Sequence, residues 1–201
     1  AETPPDESLL LDIGVVEFAG GIPAENDPDD TGVYREIRSA ESRYLPYHLK
    51  STLQGTGHWG AVRVIPSRNA FTVIVISGAI EESDGEFIEL EITVADATGK
   101  HWYDKTYETQ TGVSSYSQNR DRRLDPYQKV FNDIANDLKV FVDSLPPGTI
   151  QRIQQVSELQ FFGDMSPQAY GEHHARDDDG IISVVRLPAD NDPSVARLRQ
   201  I

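Results

Sequence analysis

The segment that decides the fold runs from residue 86 to residue 109 and reads EFIELEITVADATGKHWYDKTYET. Residues 88–94 alternate strictly between apolar and polar side chains, as expected for a strand with one buried and one solvated face. The apolar members are Ile88, Leu90, Ile92 and Val94. Residues 97–100 then predict a turn with Gly99 at positive φ, and residues 101–109 predict the outgoing strand. Because this turn leads into a strand and not into a helix, it does not predict a phosphate-binding loop.

Further strands are predicted upstream of this segment. Residues 70–83 are rich in β-branched side chains, and Asp84-Gly85 joins them to the next strand through the dipeptide favoured in tight hairpins. Residues 59–66 alternate well enough for a strand, and residues 9–18 form an apolar run bounded by polar sequence. Three consecutive strands between residues 70 and 109 therefore predict an antiparallel meander.

Two helices are predicted to flank the meander. Residues 34–54 carry apolar side chains at three- and four-residue steps, which we interpret as one helix face. That face comprises Ile37, Ala40, Tyr44, Leu45, His48, Leu49 and Leu53. Pro46 lies inside the pattern and is expected to kink the helix or divide it into two pieces. The second helix is predicted over residues 126–143, with Asp125 as its cap and Pro126 in its first turn.

These elements predict an α+β fold with a mixed, mainly antiparallel sheet of about five strands and both helices packed on one face. Residues 1–8 are polar and predict a flexible leader, and residues 9–145 predict the α/β domain. Residues 146–201 predict a helical extension or the lead-in to a further domain. Within them we expect a helix over residues 149–162 and a short strand beginning at Ile181.

Composition restricts the class of partner. The 201 residues contain 33 acidic and 18 basic side chains, a net charge of −15, which argues against a nucleic-acid partner and against a polybasic membrane surface. The absence of cysteine excludes disulfides, thiol nucleophiles and thiolate metal sites, and it suits an oxidising envelope. No apolar run approaches the roughly 18 residues of a spanning helix, so we expect membrane attachment only through an upstream anchor.

The nearest approach to a metal cluster is His173-His174 followed by Asp177, Asp178 and Asp179. Adjacent side chains on a helix point about 100° apart, so two neighbouring histidines do not converge on one ion. A solvated polar turn is the favoured interpretation. Together with the absence of a Gly-x-Ser-x-Gly elbow, this pattern leads us to predict no catalytic residue, no cofactor and no metal ligand.

One basic cluster stands out in the acidic chain, and it consists of Arg120, Arg122 and Arg123 in a long polar stretch. These arginines have two interpretations: they dock an anionic partner or a lipid head group, or they neutralise nearby acids. They are the candidate partner-binding residues.

Four stretches carry a family resemblance: DIGVVEF (12–18), LKSTLQGTGHWGAVRVIP (49–66), VISGAIEESDGEFIELEITVADATGKHWYDKTYE (75–108) and FNDIANDLKVFV (131–142). Over residues 10–143 the chain resembles the α/β domain of bacterial envelope proteins. This family includes the amino-terminal domain of TolB, the core of the curli lipoprotein CsgG and auxiliary lipoproteins of ABC transport systems.

The resemblance implies a non-enzymatic periplasmic protein that is tethered to the outer membrane through an upstream lipid anchor. Its partner would be another envelope protein or a second copy of itself. Two alternatives remain at this stage. The first is a metal-dependent hydrolase that uses His173, His174 and the following aspartates, and the second is an accessory domain of a larger envelope enzyme.

Overall fold

The computed structural model describes residues 10–22, 35–67, 71–84, 87–110 and 127–200. The main sheet has five strands: β1 (Ile13–Val16), β2 (Val62–Ile65), β3 (Ile74–Ser83), β4 (Phe87–Asp96) and β5 (His101–Gln110). The helices are α1 (Arg35–Gly55), α2 (Gln128–Asp143), α3 (Thr149–Met165), α4 (Pro167–Tyr170) and α5 (Pro193–Leu198). A separate hairpin is formed by β6 (His174–Arg176) and β7 (Ile182–Val184).

The sheet has the strand order β2-β1-β3-β4-β5. β1 runs parallel to both of its neighbours, and α1 makes the crossover that a parallel β1–β2 pair requires. The longer pairs β3–β4 and β4–β5 are antiparallel, as the meander predicts. The first hairpin is closed by Asp84, whose carboxylate accepts a 2.7 Å hydrogen bond from the backbone N–H of Phe87.

The alternation along β4 divides the sheet into two different faces. The four predicted apolar side chains are at most 1% exposed, and they belong to one hydrophobic core together with the buried residues of α1 and α2. The opposite face, which we call the open face, carries Glu89, Glu91 and Thr93 of β4. The predicted fold class is confirmed: the protein is α+β, with a mixed five-stranded sheet and helices packed on one face.

Pro46 does not divide α1, which is continuous from Arg35 to Gly55. Proline has no N–H, so it leaves the carbonyl of Ser42, one turn earlier, without its helical donor. The backbone N–H of Phe18, just beyond β1, donates to this carbonyl at 3.0 Å. Because of the proline, the Ser42 carbonyl is available to accept a hydrogen bond from Phe18, in the segment that leaves β1.

The predicted core face of α1 is wrong in part. The buried residues are Arg38, Ser42, Leu45, Pro46, Leu49 and Leu53, whereas Ile37, Ala40 and Tyr44 are exposed. At about 100° per residue, the row that contains Ile37 and Tyr44 lies roughly 170° from the centre of the buried face. Apolar residues occur at three- and four-residue steps on two opposite faces of α1, and the prediction from sequence assigned both sets to one face.

The carboxyl-terminal elements form a smaller cluster of their own. Leu159 and Phe162 of α3 pack with Tyr170 and Val195, while Ile153 of the same helix joins the main core. The predicted helix over residues 149–162 is confirmed, and the strand expected from Ile181 corresponds to β7. Its partner β6 was not predicted, because three residues are too few to establish a period.

Several predictions lie outside the described residues: the leader, the Asp125-Pro126 helix start and the arginine cluster at 120–123. The described part of α2 begins at Gln128. The division of the chain near residue 145 stays a prediction.

Candidate protein-binding surface

The outer side of α1 carries a row of exposed apolar and aromatic side chains, which we call the α1 stripe. It consists of Ile37, Ala40, Tyr44 and Tyr47, at steps of three and four residues. The exposed fractions are 55% for Ile37, 53% for Tyr44 and 59% for Tyr47. Tyrosine and other aromatic residues are enriched at protein interfaces, so this row is a candidate binding surface.

Charged side chains of both signs flank the α1 stripe. Arg43 is exposed and pairs with Glu17 at 3.1 Å, and the ammonium group of Lys50 lies 5.6 Å from the centre of the Tyr47 ring. Glu36, next to Ile37 in the first turn of the helix, is also exposed. The surface therefore combines apolar area with charges of both signs.

The α1 stripe lies on a helix that is held firmly against α2. His48 Nε2 lies 2.9 Å from Gln128 Oε1, and the amide group of Gln128 donates to Thr52 Oγ1 at 3.1 Å and to Asn132 Oδ1 at 3.0 Å. The His48 ring also packs on Phe131, with 4.5 Å between ring centres. These polar residues line a groove of about 530 Å³ between the two helices. A surface on a braced helix keeps its shape before a partner arrives, which lowers the cost of binding.

The turn between β4 and β5 is a structural element, as predicted. Gly99 has a φ of 85°, and the Asp96 carboxylate accepts hydrogen bonds from the backbone N–H of Thr98 at 2.8 Å and from Trp102 Nε1 at 2.7 Å. Trp102 in turn stacks on Phe141 of α2, with 4.9 Å between ring centres. The buried carboxylate thus connects the turn to the helix layer.

Next to this turn, β5 and α2 share a small charged network. Asp137 Oδ2 accepts from Lys105 Nζ at 2.6 Å and from Tyr107 Oη at 2.8 Å. Burial opposes ionisation of Asp137, but the hydrogen bonds from Lys105 and Tyr107 outweigh it and hold the pKa of this carboxyl below its ordinary value. Burial, with the nearby Asp137 charge, raises the pKa of Tyr103 to about 12, and burial also raises the pKa of Tyr107.

The two histidines of the predicted polar turn lie in different surroundings. His173 is buried, with Nδ1 3.0 Å from the carbonyl oxygen of Arg186, whereas His174 lies on β6. Burial, together with the charges of Arg176 and His173, lowers the pKa of His174. A Cβ on Gly163 would lie 2.9 Å from the His174 ring, so α3 requires glycine at this contact.

The aspartates that follow do not converge with these histidines. Asp177 closes its own turn by accepting the backbone N–H of Ile181 at 2.8 Å. Across the described part of the chain, no group of three or more His, Asp or Glu side chains could hold a metal ion. The arginine cluster at 120–123 cannot be placed relative to any of these residues, because it lies outside the described ranges.

The α1 stripe is the surface that sequence reasoning missed. Tyr47 was not grouped with Ile37, Ala40 and Tyr44, and the latter three were assigned to the core. A signal was present: seven apolar positions in 34–54 exceed what one face of a helix accommodates, and the row at 37, 40, 44 and 47 has helical spacing of its own. None of the helices described here combines the length and the apolar composition needed to cross a bilayer.

Comparison with known proteins gives structural likeness only. No protein-family model matches the chain, and no curated protein matches it. Among solved structures, a PelC dodecamer from Paraburkholderia phytofirmans matches at 19% identity and a TM-score of 0.39, covering 68% of this chain and 92% of its own. A DUF330 protein from Xanthomonas campestris matches at 13% identity and a TM-score of 0.40, covering 64% and 81%. A hypothetical protein from Chlamydia trachomatis matches at 12% identity and a TM-score of 0.40, covering 67% and 99%. Likeness at this level leaves the function to be argued from the residues.

Proposed function

We propose that this protein is a non-catalytic component of the bacterial cell envelope that works by binding another protein through the α1 stripe. The observation that carries the proposal is the exposure of Ile37, Tyr44 and Tyr47, each more than half exposed, on a helix whose opposite side is fully buried. More than half of each of these side chains lies in water, where apolar area is unfavourable unless a partner covers it.

The surroundings of the stripe define the chemistry of the partner. Arg43 is neutralised by Glu17 at 3.1 Å, and the other flanking charges, Glu36 and Lys50, have opposite signs. Apolar and aromatic area is therefore the main feature that this surface offers. The proposed partner is another envelope protein whose contacting surface is largely apolar.

The periplasmic location and the outer-membrane tether rest on the sequence resemblance over residues 10–143 and on the absence of cysteine, which suits an oxidising compartment. The non-catalytic role is supported by His173 and Asp177, whose polar atoms serve the local backbone instead of a shared substrate position.

The test uses a photo-crosslinking amino acid at position 47 in envelope preparations, with the same group at exposed Val185 as the control position. A partner trapped from position 47 alone is then purified, and its affinity for the intact protein is measured by calorimetry. Tyr44→Ala should weaken binding about tenfold, because aromatic residues dominate interface energy, whereas Val185→Ala should leave it unchanged.

Identical crosslinks from both positions, or an affinity unaffected by Tyr44→Ala, would contradict the proposal. The non-catalytic role has its own check: calcium and zinc should leave the melting temperature unchanged, since a metal that binds only the native state raises it.

A further inference from the structure

The main sheet has two outer edges. β2 and β5 are the terminal strands, and among the described residues no strand pairs with the outer side of either one. Such an edge exposes unpaired backbone N–H and C=O groups that can pair with another chain. Every copy of the protein carries both edges.

The β5 edge is acidic on the open face. Glu82, Glu89 and Glu108 lie directly opposite one another across β3, β4 and β5, so the row of carboxylates ends at the free edge. Like charges directly opposite each other destabilise a sheet. Glu89 and Glu108 form no ion pair with any described residue, whereas Asp104, also on β5, is paired with His101 at 2.9 Å. Within the described part of the chain, Glu108 is therefore the carboxylate of β5 that has no ion pair.

The β2 edge is basic on the same face. Arg63 is the one charged residue of β2, is exposed, and forms no ion pair with any described residue. Its cross-strand partner is Gly14, which pairs with Val75, and Val75 pairs with Ala95 of β4. Ala95 and Glu89 are six residues apart on β4, so they lie on the same face of the sheet. Arg63 therefore lies on the open face, as the carboxylate row does.

We propose that a second copy of this chain adds its β2 to β5, so that the sheets of successive copies become continuous. β2 and β5 both run parallel to β3, so this pairing is parallel and keeps the helices of both copies on one side. With Arg63 opposite Glu108, its neighbours Val62 and Val64 fall on the helix side, beside Tyr107 and Thr109.

The pairing both neutralises an unpaired charge and covers exposed apolar area. Arg63 neutralises the end of the carboxylate row, and Val64, which is 42% exposed, becomes covered. On the helix side of the edge, the Lys105 charge is already held by Asp137 at 2.6 Å and does not repel an incoming strand. Because the two edges differ, each copy can bind a neighbour on both sides, which generates a ring or a filament.

This inference rests on the proposed function, in that the protein works through protein contacts, but it uses a different surface.

The chain has no cysteine, so two introduced cysteines report on the contact without background. In one copy, positions 63 and 108 are separated by four strand spacings, about 19 Å, across the sheet. They are also about seven residues apart along the strands, because Arg63 is level with His101, so an internal disulfide is impossible. Full-length Arg63→Cys/Glu108→Cys should therefore form a ladder of disulfide-linked oligomers under mild oxidation.

The matched control is Val185→Cys/Glu108→Cys, which has two exposed cysteines but only one of them on an edge. It should give no ladder. A ladder equal to that of the test pair means random collision and overturns the proposal. A dimer from Glu108→Cys alone, with no higher species in the double variant, means pairing of β5 with β5 and also overturns it.

A charge exchange tests the same contact without oxidation. Sedimentation velocity should show that Arg63→Glu and Glu108→Arg each weaken association by about tenfold or more, because like charges then face each other, and that the double exchange restores it. A wild-type protein that stays monomeric at its solubility limit, or a double exchange that fails to restore association, would overturn the inference. Neither variant alters the α1 stripe, so binding of the α1 partner should survive, and failure of one proposal is distinguishable from failure of the other.

Discussion

The hydrogen bond between Asp96 and Trp102 offers the sharpest test of how the β4–β5 turn is held. Asp96 is 6% exposed, and its carboxylate accepts from Trp102 Nε1 at 2.7 Å and from the backbone N–H of Thr98 at 2.8 Å. Changing Asp96 to alanine removes the acceptor from these two donors and from the Thr98 hydroxyl, which also donates to the carboxylate. We expect Asp96→Ala to lower the free energy of unfolding by about 2–3 kcal/mol, since a hydrogen bond to a charged group contributes about 1.5–3 kcal/mol and these partly buried donors regain some bonding from water.

A double-mutant cycle isolates the Trp102 component of that loss. Trp102→Phe removes the N–H but keeps an aromatic ring against Phe141, which Trp102 stacks on at 4.9 Å. Hydrogen bonds to charged groups contribute about 1.5–3 kcal/mol, so the coupling energy between the two substitutions should fall in that range. The free energies come from urea unfolding followed by far-ultraviolet circular dichroism, which does not depend on the altered tryptophan.

Asp104→Ala is the control, because Asp104 makes an exposed ion pair with His101 at 2.9 Å. Its effect should stay below about 1 kcal/mol, as for other surface pairs. A coupling energy under about 0.5 kcal/mol, within the additivity of independent sites, would refute the claim that Asp96 holds the turn through Trp102.

Two further predictions concern the stability of the sheet and its helix layer. Asp137→Asn should be destabilising at neutral pH. The hydrogen bonds from Lys105 and Tyr107 lower the folded-state pKa of Asp137 against the effect of burial. The stability that the ionised carboxylate contributes is therefore present above about pH 4 and is lost as the pH falls through the lower folded pKa, so the difference from wild type should shrink in acid. A pH-independent difference would contradict this. Gly14→Ala should cost about 1–3 kcal/mol in urea unfolding, because a Cβ there would lie 2.4 Å from Ile65 Cδ1. Gly55→Ala, with open space at the end of α1, should be neutral or mildly stabilising, and equal losses at both glycines would argue against steric packing as the cause.

Much of the secondary structure could be predicted because its causes are local. Alternation along β4 follows from the geometry of a strand, in which successive side chains point to opposite faces. Asp84 and Gly99 favour turns for local reasons. The Asp84 side chain binds nearby backbone, and Gly99 adopts a positive φ. Both hairpins of the meander could therefore be predicted without the tertiary fold.

The candidate binding surface could not be predicted from local sequence in the same way. Whether Tyr44 or Leu45 faces the core depends on which side of α1 meets the sheet, and both are apolar. The structure buries Arg38 and Ser42 on the core side and leaves Ile37 and Tyr44 in water, the reverse of what hydrophobicity alone predicts. Only the docking of the whole helix decides this, since the buried leucines outweigh the two misplaced apolar residues.

The sequence by itself determined the class of fold, the order of the five main strands and the three long helices, and the turn at Asp96, because period-two alternation and turn chemistry act over a few residues. Tertiary structure alone decided the strand order, since β1 lies between β2 and β3 through contacts that span up to about sixty residues of chain. That order leaves Arg63 at one edge of the sheet and Glu108 at the other. Local patterns specify each strand, but only long-range pairing determines which strands remain at the edges and therefore which residues a second chain can meet.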